Sequence, residues 1–487
     1  MSSLLKGGRL RATRKDVVEF ISSFEADKRI AFSTVLVNEA HMIALARSGV
    51  IDRIATRKIL RVLRELENHE SSAEGLEDVH VLIEEYVTKR TGREVGGLLN
   101  LGKSRNDQVA TAVRMTLRNE MLELSEMLLA LELSILRLAR IHTESVFPGY
   151  THLQPAQPIS FAHYLLTNGD SLLRDVQRLK DAYARVNCSP MGAAALAGTS
   201  FRLDRALIAR LLGFEGLVEV SLDAVQSRDF ALEALAVCAL IASDISRMAQ
   251  DFIFYSTAEV GLVISPDEFA STSSIMPQKK NPDPLELIRA KSAMIVSNFN
   301  SAAITMHGLP SGYNLDYQEI TPLLWKSFDE LKSCLRIFTG LIPKIRLDKR
   351  IAEKQYLQFT AATEIANLLV REEKLAFRTA HRVVGSVVRK ALSQGKTLRQ
   401  LQQADWEQAL RKRISRRSMV SILRTLDLKR HLYVYRTKGS PNPQEMTRII
   451  KQRWRRCERL LKSNSHLQDK LQRSMHNLHV MTKQPEG

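Results

Sequence analysis

One stretch constrains this chain more than any other. From about Gln108 to His142, apolar residues recur at helical spacing: Val109, Val113, Met115, Leu117, Met121, Leu124, Leu128, Leu131 and Ile135. Ser104 or Asn106 can cap its start. A helix of more than thirty residues exceeds the usual globular length, so its apolar stripe needs partners of similar length. The chain offers them. Ser160 to Arg185 reads as a second long helix. Asp223 to Ser256 reads as a third, apolar nearly all round between Phe230 and Ile241 and therefore suited to a bundle centre. Pro284 to His307 and Thr321 to Leu341 follow. Alternation of β-branched residues is scarce, so little sheet is expected. The reading is an all-α fold built on a long central helical bundle.

Shorter helices flank it: Asp27 to about Arg47, Ala55 to Glu67, and an amphipathic segment led by Glu77-Asp78-Val79-His80 through Val87. Gly7-Gly8-Arg9 is a turn-like opening. The charged run Asp348-Lys349-Arg350 marks a boundary, with helices near 361–371 and 374–393 beyond it. The expected division is an N-terminal helical domain (1–107), the bundle with its polar loops (108–355), a small helical domain (356–445) and a basic helical tail (446–487).

The net charge of +18 is local. Residues 411–487 hold 20 Lys/Arg against 5 Asp/Glu, which leaves +3 for residues 1–410. Bulk basicity is therefore no argument that the body binds nucleic acid. In the tail, Arg448, Lys451, Arg453, Arg455, Arg456, Arg459 and Lys462 accompany Trp454. A solvated or partly disordered tail explains them, and contact with RNA or an acidic partner rests on charge alone. The basic opening residues lack an apolar h-region, and the most apolar run, Ala234 to Ser243, is too short to cross a bilayer. Cys188, Cys238, Cys334 and Cys457 form no CxxC pair. The expectation is a cytoplasmic protein with reduced thiols, no membrane contact and no metal site.

Three polar stretches, 104–108, 148–158 and 271–286, carry the chemistry, and each precedes a long helix. Only antiparallel helices or subunits could bring them together. Ser271 to Glu286 has no apolar periodicity, and its prolines exclude helix before Pro284. Asp283, Pro284 and Glu286 fit N-cap, N1 and N3, with the acid closing a capping box. Ser273 and Ser274 offer hydroxyls, Lys279 and Lys280 positive charge, and Asn281 an amide. Beside a helix N-terminus these suit a carboxylate that gains charge during reaction. A serine base needs N–H donors or cations to be activated, and Lys279 and the loop backbone could supply them. His152, between Thr151 and Gln154 in a proline-flanked stretch, titrates near neutrality and can protonate a leaving amine. Plainer readings stand beside each: a solvated loop, a structural His152, capping roles for Glu286, Asn106 and His80. The chain has no Gly-rich phosphate loop and no GxSxG elbow.

Glu77-Asp78-Val79-His80, Ser104 to Thr111, Pro148 to Pro158, Leu196-Ala197-Gly198-Thr199, Asp223-Ala224-Val225, Arg228-Asp229-Phe230, the 271–286 string, and Tyr313-Asn314 with Asp316 and Gln318-Glu319 resemble motifs of the argininosuccinate lyases, within the aspartase/fumarase superfamily. The resemblance runs from about residue 7 to 440, and Gln318-Glu319-Ile320-Thr321-Pro322 is most similar to the archaeal branch. It implies an all-α, three-domain fold whose central helices join in one bundle of a homotetramer, each active site drawing on three subunits. It implies cleavage of argininosuccinate to arginine and fumarate, in arginine biosynthesis, without cofactor. By the same resemblance Ser273 abstracts the succinyl proton, Lys279 with Asn281 stabilises the doubly charged carboxylate, and His152, polarised by Glu286, protonates the departing nitrogen. Ser23, Asn106, Thr151, Tyr313 and Gln318, with Arg105, Asp78 and His80, hold the substrate. Asn100, Val220, Thr272 and Thr321 depart from the family's histidine, asparagine, glycine and common lysine, and none is a proton-transfer position. A sister lyase for another N-succinyl substrate, or a non-catalytic scaffold like the lens crystallins of this fold, are the alternatives.

Overall fold

The apolar periodicities emerge as packed helices in a computed structural model, which describes residues 13–66, 77–348, 350–351 and 354–483. Gly7-Gly8-Arg9 and Lys349 lie outside them. After a short helix, Lys15–Ile21, and helical turns over Phe24–Ile30 come α1 (Ala31–Arg47), α2 (Arg53–Leu66) and α3 (Val79–Thr91). Asp78 caps α3, accepting the Val81 N–H at 2.8 Å. The long helix, α4 (Arg105–Ile141), has 37 residues, a rise of about 55 Å. Leu117, Met121, Leu124, Leu128, Leu131, Ile135 and Leu138 are buried along it in alternating steps of four and three, the spacing of a bundle seam.

A β-hairpin then replaces the expected irregular stretch: β1 (Val146–Thr151) pairs antiparallel with β2 (Gln154–Ser160), Thr151 opposite Gln154. Its three prolines are tolerated because both strands are edges. After α5 (Phe161–Val186), the single helix expected over 223–256 is broken into α6 (Ser221–Gln226) and α7 (Asp229–Ser256). Arg228 at the break leaves helical geometry, with φ −131°. Its guanidinium donates to Val225 O at 3.2 Å and Ser227 O at 2.8 Å, filling the Val225 carbonyl that a continuous helix would have used.

Beyond α7, β3 (Val263–Ile264), β4 (Ser271–Thr272) and β5 (Lys280–Asn281) precede α8 (Asp283–Met306) and α9 (Ile320–Leu341), and β6 (Arg346–Leu347) pairs back with β3. β4 pairs with β5. The helices α4, α5, α7, α8 and α9 lie side by side and share one core. A polar network fixes the 22–30 segment onto it. Arg29 reaches Glu120 on α4 at 2.8 Å and Asp329 on α9 at 2.7 Å, and buried Lys332 reaches Glu120 and Glu123.

Ala362–Glu373 and Phe377–Ser393 form the helices expected after 360. The C-terminal segment is not a frayed or disordered tail. It is a helix, α10 (Pro443–Lys483), whose Ile450, Cys457, Asn464, Leu471 and Leu478 are buried at intervals of seven. It lies along α4: Asn464 Nδ2 donates to Ser125 Oγ at 2.8 Å, and Arg137 stacks over Trp454 at 5.9 Å. Arg453 pairs with Asp170 of α5 at 3.0 Å. Most of its cations form the wet face of an amphipathic helix. No helix among the described residues is long and apolar enough to cross a membrane.

Candidate active site

The start of α4 builds the floor of a pocket. Ser104 and Asp107 form a capping box, Asp107 Oδ1 accepting the Ser104 N–H at 3.0 Å. Ser104, not Asn106, is therefore the cap. Asp107 Oδ2 accepts the N–H groups of Gly192 and Ala194 at 3.0 and 2.8 Å, which ties the 187–204 loop to the helix start. Burial pushes the Asp107 carboxyl up to about 6, against these N–H donors.

With Asp107 committed inward, Arg105 and Asn106 line the pocket. Arg105 pairs with Asp78, and with Glu77 at 3.5 Å. Asn106 Nδ2 donates to Ala195 O at 3.1 Å. Ser23 Oγ donates to Asp27 Oδ2 at 2.6 Å, and Gln318 Nε2 to Ile21 O at 3.0 Å. Tyr313 meets Tyr317 edge-on at 5.8 Å, and Arg228 lies 5.0 Å from the Tyr317 ring. His80 is buried, which lowers its pKa to about 4 although Asp78 pulls the other way, so its ring is neutral. Burial raises Asp27 to about 7 against its Ser23 hydrogen bond.

The pocket holds about 180 Å³. Seven nominated residues line it: Ser23, Asp78, His80, Arg105, Asn106, Tyr313 and Gln318. Asp27, Glu77, Arg228 and Tyr317 join them and were not nominated. Asp27 was visible in principle, since it lies one helical turn after Ser23.

The remaining nominees lie elsewhere. His152 and Leu153 occupy the hairpin tip with φ of 55° and 57°, a two-residue turn of the I′ kind. Neither is glycine, so each carries left-handed strain of about 1–2 kcal/mol, and both are exposed. Ser273 follows β4, and its Oγ accepts the N–H groups of Ile275 and Met276 at 3.3 and 3.2 Å. Two such donors favour the deprotonated hydroxyl. Lys280 is engaged with Asp267 and the Ser265 carbonyl, whereas Lys279 is exposed and makes no ion pair among the described residues. Asn281 Nδ2 donates to Ser271 Oγ at 3.4 Å. The capping box expected at Glu286 does not form: the N-cap is Pro282, one residue early, and it has no side-chain cap. Glu286 is exposed and its carboxylate is not spent on the helix end.

Helix lengths separate the two groups within one chain. Tyr150, beside Thr151 and His152, packs on Tyr255 at 5.9 Å. Arg228 lines the pocket, and the 28 residues of α7 lie between Arg228 and Thr257, about 42 Å of helix. Met306, at the end of α8, shares a cleft with Arg228 and Tyr317. The 271–286 loop enters the opposite end of that helix, 24 residues and about 36 Å away. One chain thus carries a binding pocket at one end and the nominated acid and base at the other.

Comparison with known proteins supplies the frame. The Lyase family pattern matches residues 18–297, and the pattern described as Argininosuccinate lyase C-terminal matches residues 359–430. The argininosuccinate lyase of Methanothrix thermoacetophila is 41% identical over 481 residues, covering 97% of this chain and 98% of that one. The chain belongs to the argininosuccinate lyase family. The family member of Methanoculleus marisnigri is 43% identical over 394 residues, 80% of each chain. A crystal structure of EDDS lyase in complex with formate superposes with a TM-score of 0.86 at 25% identity, covering 100% of this chain and 98% of that one. A class II fumarase from Schistosoma mansoni shares the fold at a TM-score of 0.70 and 17% identity, covering 82% and 90%. Of the positions that depart from the common argininosuccinate lyase pattern, only Thr321 lines the pocket. Asn100, Val220 and Thr272 are exposed.

Proposed function

We propose that this chain cleaves argininosuccinate into arginine and fumarate, as a carbon–nitrogen lyase of arginine biosynthesis. The observation that carries the reading is convergence. Residues from four distant segments, chosen for substrate contact, meet in one pocket, while every group chosen for proton transfer is left free of it. Ser273, as the alkoxide its two N–H donors favour, takes the proton from the succinyl carbon. The electron pair of that C–H bond passes into the neighbouring carboxylate, where Lys279 and Asn281 meet the added charge. It then closes the double bond of fumarate. The C–N pair leaves with the guanidinium nitrogen, which takes the His152 proton, Glu286 polarising the imidazole.

Completion of the site requires neighbouring subunits, and the proposal includes a homotetramer. The surface of α8 supports it: Leu287, Met294 and Ile304 are 58, 44 and 75% exposed on a helix that packs mainly on α7 and α9, a face that needs covering. The division near residues 107, 355 and 445 and a cytoplasmic setting, in keeping with four free cysteines, belong to the same proposal. The test is ultraviolet detection of fumarate when argininosuccinate is added, with adenylosuccinate and aspartate in parallel for a sister specificity. Ser273→Ala and His152→Asn each lower the rate by about 10²-fold or more with circular dichroism unchanged. An active Ser273→Ala protein sinks the assigned base.

A further inference from the structure

We infer a second ligand site, between the far end of α4 and the segments 345–351 and 426–429, that takes an amphiphilic polyanion and bears on the catalytic loops. A cavity of about 620 Å³ lies there, within the range of roughly 300–1,000 Å³ for small-molecule sites. Val146, Ile345, Leu347, Ile351, Leu426 and Leu428 give it apolar walls. Arg346, Arg399 and Lys429 line it, all three exposed and none in an ion pair among the described residues. The two acids present are already engaged, Asp348 with Arg350 at 3.1 Å and Asp427 with Arg430 at 3.4 Å. The uncompensated charge is positive.

Cations beside an apolar wall select a ligand that has both features. Phosphate or carboxylate oxygens meet the two guanidinium groups and the ammonium, and an apolar or aromatic body covers the wall. A small inorganic anion leaves that wall wet. Arginine, itself a cation, faces three like charges.

The cavity is not the pocket at the start of α4. His142, which lines it, directly follows α4, a helix length of about 55 Å from Arg105. It touches the roots of both catalytic elements. Val146 opens β1, whose other end is Thr151. Arg346 and Leu347 form β6, paired with β3, which leads into the 271–286 loop. This regulatory part rests on the proposed function above.

The experiment uses the full-length protein at low ionic strength with ATP as probe, and citrate and inorganic pyrophosphate as comparison arms. ATP raises the thermal midpoint saturably, and the other two raise it less. Arg399→Ser with Lys429→Ser weakens ATP binding by about tenfold or more. Lys451→Ser with Arg455→Ser, an equal charge loss on the exposed face of α10, leaves it unchanged. Equal weakening by both double variants, or no shift with any probe, overturns the site. Pyrophosphate or citrate as effective as ATP overturns the apolar body. A change in fumarate release with ATP, seen in the wild type and lost in the Arg399/Lys429 variant, supports the link to the loops, and binding without any change in rate overturns that link. The midpoint arm does not depend on catalysis, so failure of this site and failure of the lyase reading are told apart.

Discussion

Glu132 sits about three-quarters of the way along α4, 1% exposed, and neither carboxylate oxygen has a hydrogen-bond partner. Gly169 on α5 leaves space for it, since a Cβ there would lie 2.3 Å from Glu132 Oε2. Burial pushes the carboxyl up to about 8, Asp170 adding to the effect and Arg453 and Arg456 of α10 opposing it. The fold therefore keeps a proton that the unfolded chain releases near 4.5. Between about pH 4.5 and 8 the folded state binds the more protons, so stability falls as pH rises through that window. From 4.5 to neutral pH the loss is about 3 kcal/mol. Glu132→Gln keeps the shape and removes the titration, so its advantage over wild type grows from near zero at about pH 4.5 to about 3 kcal/mol at neutral pH. The assay is the urea unfolding midpoint of both proteins at about pH 5 and about pH 7.5, at one fixed protein concentration because the proposed tetramer would make the midpoint concentration-dependent. Parallel pH dependence in the two proteins refutes the reasoning.

The proposed sharing of each site between subunits predicts complementation: Asn106→Ala and Ser273→Ala are each inactive alone, and after subunit exchange in equal amounts about a quarter of sites pair an intact pocket with an intact loop. Hybrids that form and stay inactive contradict it. Lys279→Ala lowers kcat by about 10²–10³-fold, and more than Lys280→Ala, because Lys280 is already spent on Asp267; equal losses in a kinetic comparison reverse the assignment. Truncation after Ser463 removes buried Leu471 and Leu478, worth about 3–6 kcal/mol together. It is expected to lower the thermal midpoint clearly, and an unchanged midpoint denies the packing of α10.

How legible each part was depends on the range of the interaction behind it. The seam of α4 could be read because Leu117 to Ile135 repeat at fixed steps, and its cap was narrowed to Ser104 or Asn106, with Asp107 three residues after Ser104 closing the box in the structure. The hairpin was hidden by its prolines, which argue against a strand except at edges, and by a turn built from His152 and Leu153 without glycine. The seat of α10 was hidden by Asn464 and Cys457 at positions where leucine would have declared the stripe. The Glu286 capping box failed by one residue, since α8 begins from Pro282.

The sequence alone determined that long amphipathic helices had to bundle and where most of them start. Those outcomes follow from spacing within a few turns of chain. The tertiary structure alone decided that Gln318 reaches Ile21 across 297 residues, that Arg228 breaks its helix to stand over Tyr317, and that the pocket and the Ser273 loop occupy opposite ends of the same bundle. Contacts of that range depend on which helix packs against which, and no local period encodes the choice of partner.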